Sequence, residues 1–140
     1  MDASTPSFVA ETQAVRDAYA ALNRNDIPGF VSLLDAQIER IEPAGFPGGG
    51  TYQGIEAVTA HLALHRGRWA EGTCEPERIV VTNGHILVYL CIHVRLAHEA
   101  DWRDGRIVDG FTFRDGKAVR WRTFAEERQA LAWAGAGQDG

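Results

Sequence analysis

Apolar positions in the first third of the chain recur at helical spacing. Phe8, Val15, Tyr19 and Leu22 fall on one face, and Thr5-Pro6 supplies an N-cap followed by proline at the first helical position. This predicts a first helix ending near Asn25. Asp26 can cap a short second helix through IPGFVSLL, with Phe30, Leu33 and Leu34 inward. QIERIEP reads as a short strand stopped by Pro43, AGFPGGGTYQG as a loop, and IEAVTAHLALHR as a third helix carrying Ile55, Val58 and Leu62 on its inner face.

From Glu77 the pattern changes to β-branched runs separated by Asn83-Gly84, Asp104-Gly105 and Asp115-Gly116, each a hairpin signal. Four antiparallel strands are predicted, at about 77–82, 85–103, 106–114 and 117–125. The strand from His85 is apolar in both phases, so it should be central and covered on both faces. In RIVDGFTFRDG, Asp109 shares a phase with Ile107, Phe111 and Phe113, where an ionised carboxylate without a partner is costly. A three-residue Arg114-Asp115-Gly116 loop would pair Phe113 with Lys117 and put Val119, Trp121 and Thr123 beside that face. A two-residue turn would put Arg120 and Arg122 there, and burial favours the first register.

Helices followed by a meander of strands predict an α+β fold, a curved antiparallel sheet wrapped by three N-terminal helices around a pocket. The 140 residues fit one domain, 1–140, with 1–6 and 135–140 frayed. A charged fraction of 24% with net charge -5 argues against nucleic-acid binding. No run approaches a membrane span, no leader is evident, and the two cysteines, Cys74 and Cys91, offer no disulfide framework. A cytoplasmic protein is expected. His61 and His65 have the i, i+4 spacing of metal ligands, but no third ligand stands at motif spacing. No metal and no cofactor are therefore expected.

YAALNRND in the first helix, a carboxylate before proline in the first strand, GTYQGIEAV opening the third helix and VDGFTFRDGK near the end together resemble the ketosteroid isomerase branch of the nuclear transport factor 2-like superfamily, which also holds the SnoaL-like polyketide cyclases. The resemblance covers nearly the whole chain and implies a cone-shaped sheet enclosing a pocket. It carries the isomerases' oxyanion-hole tyrosine onto Tyr19, the catalytic base onto Glu42 and the protonated oxyanion-hole aspartate onto Asp109. In that role an acid on an apolar face is tolerable, because its neutral form donates a hydrogen bond. The base is glutamate here where those isomerases carry aspartate, and His61 stands where they place an aromatic pocket residue. Around the triad the expected substrate-binding residues are Phe30, Arg40, Phe111 and Trp121. By sheet phase Tyr89, Cys91 and His93 share one face of the strand from His85, which with His61 would make the cavity polar.

The same residues have plainer readings. Tyr19 could be a core tyrosine, Glu42 could be solvated or simply paired with Arg40, and Asp109 could be a structural acid bonded to His93 or an arginine. If Arg40 pairs with Glu42, the base should be held ionised. The expected activity is cofactor-free proton transfer on a small, largely apolar carbonyl compound through an enolate: isomerisation, or the related dehydration or cyclisation. The alternative is a non-catalytic small-molecule-binding or dimerisation module of the same fold. Epoxide hydrolysis, known in the same superfamily, is disfavoured because the matching acid position holds Thr123. A homodimer is expected through the outer sheet face bearing Val108, Thr112, Arg120 and Arg122. Trp69, Trp102 and Trp133 read as rim or interface packing.

Overall fold

A computed structural model describes residues 8–136. The Thr5-Pro6 cap and the ends expected to fray at 1–6 and 137–140 lie outside the described residues. Helix α1 (Val9–Asn23) buries Val15, Ala18, Tyr19 and Leu22 on one stripe, as its spacing dictates. Asp26 caps α2 (Ile27–Val31) by accepting from the Gly29 N–H at 3.0 Å. This helix is one turn long and shorter than predicted. Leu33 lies in the turn after it and Leu34 opens strand β1 (Leu34–Glu42), both still buried.

The glycine-rich segment expected to be a loop contains strand β2 (Gly50–Gln53), paired antiparallel with β1 from Glu39↔Gln53 to Glu42↔Gly50. Helix α3 (Ile55–Arg66) follows Gly54, whose φ of 90° suits glycine. Strand β3 (Trp69–Thr82) begins well before Glu77; register breaks at Trp69/Glu71 and Pro76/Arg78 hide its alternation in the sequence. Strand β4 (His85–Leu96) stops short of the predicted 103. Asp104-Gly105 is not a hairpin: both residues lie inside β5 (Arg103–Arg114), opposite His93 and Ile92, and the chain turns instead through 97–102, with His98 at φ 72°.

Between β5 and β6 (Lys117–Phe124), Asp115 and Gly116 have φ values of 53° and 81°, and Arg114 pairs with Lys117. That is a two-residue turn with both central residues left-handed. Phe113 accordingly pairs with Ala118, not Lys117 as expected. A bulge at Val119 then restores the alternation, so Trp121 faces Phe111 and Thr123 faces Asp109 as predicted, while Val119 joins Thr112 and Arg120 along a shallow groove.

The six strands form one curved, unclosed sheet in the order β2-β1-β6-β5-β4-β3, antiparallel except for the parallel β1–β6 pair. Strand β4 is therefore next to an edge. Helices α1–α3 cover the concave face over the main core of Tyr19, Phe30, Ile38, Val58, Leu90 and Phe111. A fourth helix, α4 (Glu127–Ala136), covers part of the outer face, and Gly135 and Ala136, expected to be frayed, belong to it. Its Ala130 and Ala134 pack over Leu87, Val108 and Phe124, with Trp133 beside them. A Cβ at Gly110 would stand 2.6 Å from the Trp133 ring, so glycine is what lets α4 approach. Val108 is thus buried by the chain's own helix. Among the described residues no helix is long and apolar enough to cross a membrane.

Candidate active site

Between the concave face and the helices lies a cavity of about 290 Å³ whose lining includes Tyr19, Arg40, Glu42, His61, Asp109, Trp121 and Thr123. Its apolar walls come from Val58 and Leu62 of α3 and from Leu90, Ile92 and Val94 of β4. The three residues of the expected triad border this one space.

Asp109 is only 3% exposed, and its place in the core is explained by three donors. The Tyr19 hydroxyl and the Trp121 indole N–H (3.0 Å) both donate to Oδ2, and the Thr123 hydroxyl donates to Oδ1 at 2.5 Å. Two constraints deliver the three donors: the inward stripe of α1 for Tyr19, and the bulge-corrected register of β6 for Trp121 and Thr123. Neither His93 nor an arginine is bonded to it. Burial and the adjacent Asp109 push the Tyr19 phenol well above its ordinary range, so it stays protonated. Phe30 meets the Tyr19 ring edge-on at 5.4 Å, and Phe111 stacks on Trp121 at 6.0 Å. Both phenylalanines stand behind the wall, fully buried, rather than in the cavity lining.

Glu42 ends β1 just before Pro43 and pairs with Arg40, Nη2 to Oε1 at 2.7 Å. Arg40 is 5% exposed; its guanidinium lies 3.9 Å over the Trp121 ring, and its Nη1 donates to the Ile41 carbonyl at 3.0 Å. The ion pair exists, but Glu42 is not held low by it. Burial raises its pKa, Arg40 opposes this, Asp109 adds to it, and the net shift is upward. His61 comes from the inner face of α3, stacked on Tyr52 at 3.9 Å with its Nε2 3.9 Å from Glu42 Oε1. Burial, aided by His65 and Arg40, lowers its pKa to about 4, so the ring is neutral at working pH.

Tyr89, Cys91 and His93 do not reach the cavity. The opposite phase of β4, through Leu90, Ile92 and Val94, faces inward, because Asp109 pairs with Val88 and cross-strand partners share a face. On the outer face the Tyr89 hydroxyl donates to Glu127 at 2.6 Å, His93 pairs with Asp104 and stacks on Trp102, and Cys91 is half-buried. The cavity wall along β4 is consequently apolar. Trp69, read as rim or interface packing, borders the cavity, while sequence reasoning missed Gly48 on its wall and Tyr52 behind His61. Tyr52 and Gly48 sat in the segment taken for a loop, and only the pairing of β2 with β1 brings them there.

Solved structures share this fold over most of their length. An NTF2-like protein of unknown function from Burkholderia pseudomallei matches with 23% identity and a TM-score of 0.75, covering 87% of this chain and 95% of that one. TerC, co-crystallized with polyporic acid, matches with 21% identity and a TM-score of 0.73, covering 90% and 98%. A protein of ketosteroid isomerase-like fold from Catenulispora acidiphila, in complex with trimethylamine, matches with 13% identity and a TM-score of 0.71, covering 88% and 92%. No curated protein matches the chain. The chain shares the fold of these NTF2-like proteins, and the profile of the SnoaL-like domain matches residues 15–121, a span running from the buried stripe of α1 to the Trp121 that holds Asp109; the chain therefore belongs to the SnoaL-like domain family.

Proposed function

We propose that this protein is a cofactor-free proton-transfer enzyme acting on a small, largely apolar carbonyl compound through an enolate. The observation that carries the reading is Glu42: a carboxyl of raised pKa on the wall of an apolar cavity that also holds the Tyr19–Asp109 pair. A base tuned upward by burial removes a proton alpha to a carbonyl more readily than a solvated carboxylate. Tyr19, kept as a phenol, would turn its hydroxyl from Asp109 to donate to the enolate oxygen, with Asp109, held by Trp121 and Thr123, positioning it between the two. Glu42 then returns the proton to another carbon in an isomerisation, with Arg40 steadying its charged form.

The test is exchange of alpha protons for deuterium in simple ketones, followed by NMR, together with conversion of unsaturated ketones. Replacement Glu42→Gln removes the base and should slow either reaction about 10²–10⁴-fold. Undiminished exchange in that variant would exclude Glu42 as the base and end this reading.

A second reading, a non-catalytic small-molecule binder, is favoured by one feature: both oxygens of Asp109 already accept from protein donors. Ketones that bind but never exchange, in the native chain, would select it. For the assembly we propose a homodimer through the part of the outer face that α4 leaves open, around Thr112, Val119 and Arg120. A monomer in sedimentation at micromolar concentration would exclude that arrangement.

A further inference from the structure

His61 carries an atom that proton transfer by Glu42 leaves unused. The residue is 8% exposed on the cavity wall, and its Nε2 is buried with no hydrogen-bond partner on the protein. Buried polar side-chain atoms are seldom left in that state. The ring is fixed where it lies. Tyr52 stacks on it with an interplanar angle of 22°, and His65 meets it edge-on at 4.4 Å. Gly48 closes over the same spot, where an added Cβ would be 2.7 Å from His61 Cε1, 2.7 Å from Glu42 Oε2 and 2.9 Å from His65 Nε2. Tyr52 holds that glycine by donating to its carbonyl at 3.1 Å.

The partner of Nε2 must therefore come from the cavity. Glu42 Oε1, 3.9 Å away, is beyond hydrogen-bond reach of Nε2, yet close enough for one ligand atom to touch both. The charged and titratable groups facing His61 are Glu42, Arg40 and His65. A ligand carboxylate would be repelled by ionised Glu42, and a ligand ammonium would meet Arg40. A hydroxyl suits every state of the pair, since it can donate to Glu42 while accepting from or donating to a neutral imidazole. We propose that Glu42 and His61 form a hydroxyl-binding subsite, and that the substrate is a hydroxy-substituted carbonyl compound. The carbonyl in that description rests on the proton-transfer reading; the hydroxyl does not.

Titration calorimetry with acetophenone and its 2′-, 3′- and 4′-hydroxy isomers tests the subsite. At least one hydroxy isomer should bind about tenfold more tightly than acetophenone, the worth of one added hydrogen bond. In His61→Phe, which keeps a ring against Tyr52, that ratio should fall to within about twofold. A readout on the native chain stands beside it should the variant not fold: the imidazole nitrogen-15 resonance of Nε2 should shift with the preferred hydroxy isomer and not with acetophenone. Equal affinities for all four compounds, a preference that survives in folded His61→Phe, or an Nε2 resonance indifferent to the hydroxyl would overturn the proposal. Deuterium exchange at the acetophenone methyl separates the two readings. A hydroxyl preference without exchange supports the subsite and overturns proton transfer; exchange without a preference overturns the subsite alone.

Discussion

On each side of the sheet an imidazole, an aromatic ring and a carboxylate come together, in different surroundings. Inside, His61 stacks on Tyr52 at 3.9 Å and stands 3.9 Å from Glu42; outside, His93 stacks on Trp102 at 4.3 Å and pairs with Asp104. Inside, the side chains of His61 and Glu42 are 6% and 18% exposed; outside, those of His93 and Asp104 are 55% and 68% exposed. Burial is what separates them. It lowers the pKa of His61 and raises that of Glu42, moving base and imidazole toward forms that can exchange protons or hold a neutral ligand. Water supplies the outer trio with partners and screens its charges, so the corresponding chemical groups make only a surface contact. Residue identity alone therefore does not mark a site in this molecule; the side of the sheet does.

The largest effect expected on the inner side is at Asp109. Asp109→Leu leaves the Tyr19 hydroxyl, the Trp121 indole N–H and the Thr123 hydroxyl buried with their common acceptor gone. At about 1–3 kcal/mol for each stranded donor, partly relieved by rearrangement, urea denaturation should show a loss of about 3–5 kcal/mol. A loss below about 1 kcal/mol would mean that the donors find other partners and that the inner site is no better organised than the outer one.

Next in size is a pH effect at His61. Its folded pKa of about 4 lies below the ordinary 6.5, so the unfolded chain binds the proton first as pH falls. The stabilisation is complete above about pH 6.5 and is lost on descending toward 4. Between pH 7 and pH 5 this amounts to about 2 kcal/mol of unfolding free energy. Glu42, raised in the fold, works in the opposite sense, so the measurement is the difference between two proteins. The native chain should lose about 2 kcal/mol more over that interval than His61→Phe. Parallel pH profiles would show that His61 is solvated and would remove the contrast with the outer face.

That Tyr19, Glu42 and Asp109 border one cavity was legible because two signals agreed, the helical stripe carrying Tyr19 and the strand phase of Asp109 with Phe111, with the carboxylate before Pro43 and the family resemblance pointing to Glu42. The wall of the cavity was not legible. Strand β4 is apolar in both phases, Leu87 serving the small outer core and Val88 the inner one, so phase alone could not say which set faces the ligand. That ambiguity put Tyr89, Cys91 and His93 inside. Strand β2 and the start of β3 were obscured by glycine, proline and register breaks that only cross-strand pairing makes good. Helix α4 was invisible for a tertiary reason. Its alanine-rich contact with the sheet depends on a bare Gly110 beneath Trp133, a complementarity between residues far apart in the chain. At Asp115-Gly116 Trp121 and Thr123 were placed on the right face for the wrong reason and Val119 on the wrong face, since the bulge at Val119 performs the shift that had been assigned to the turn.

The smallest effect expected is on the outer trio, and it is the control for the other two. Asp104→Asn removes the charge that pairs with His93 but keeps a side chain of the same shape, and Trp102 continues to hold the imidazole by stacking. An exposed carboxylate–imidazole contact of this kind contributes at most about 1 kcal/mol, because water replaces the lost partner and salt screens the attraction. Urea denaturation should accordingly find a change below about 0.5 kcal/mol that vanishes in molar salt. Ketone exchange rates should match those of the native chain, because Asp104 lies on the far side of the sheet from Glu42. A loss of exchange in Asp104→Asn, with the fold intact, would mean that the outer face couples to the chemistry. The proposed division between a reactive inner surface and an inert outer one would then fail.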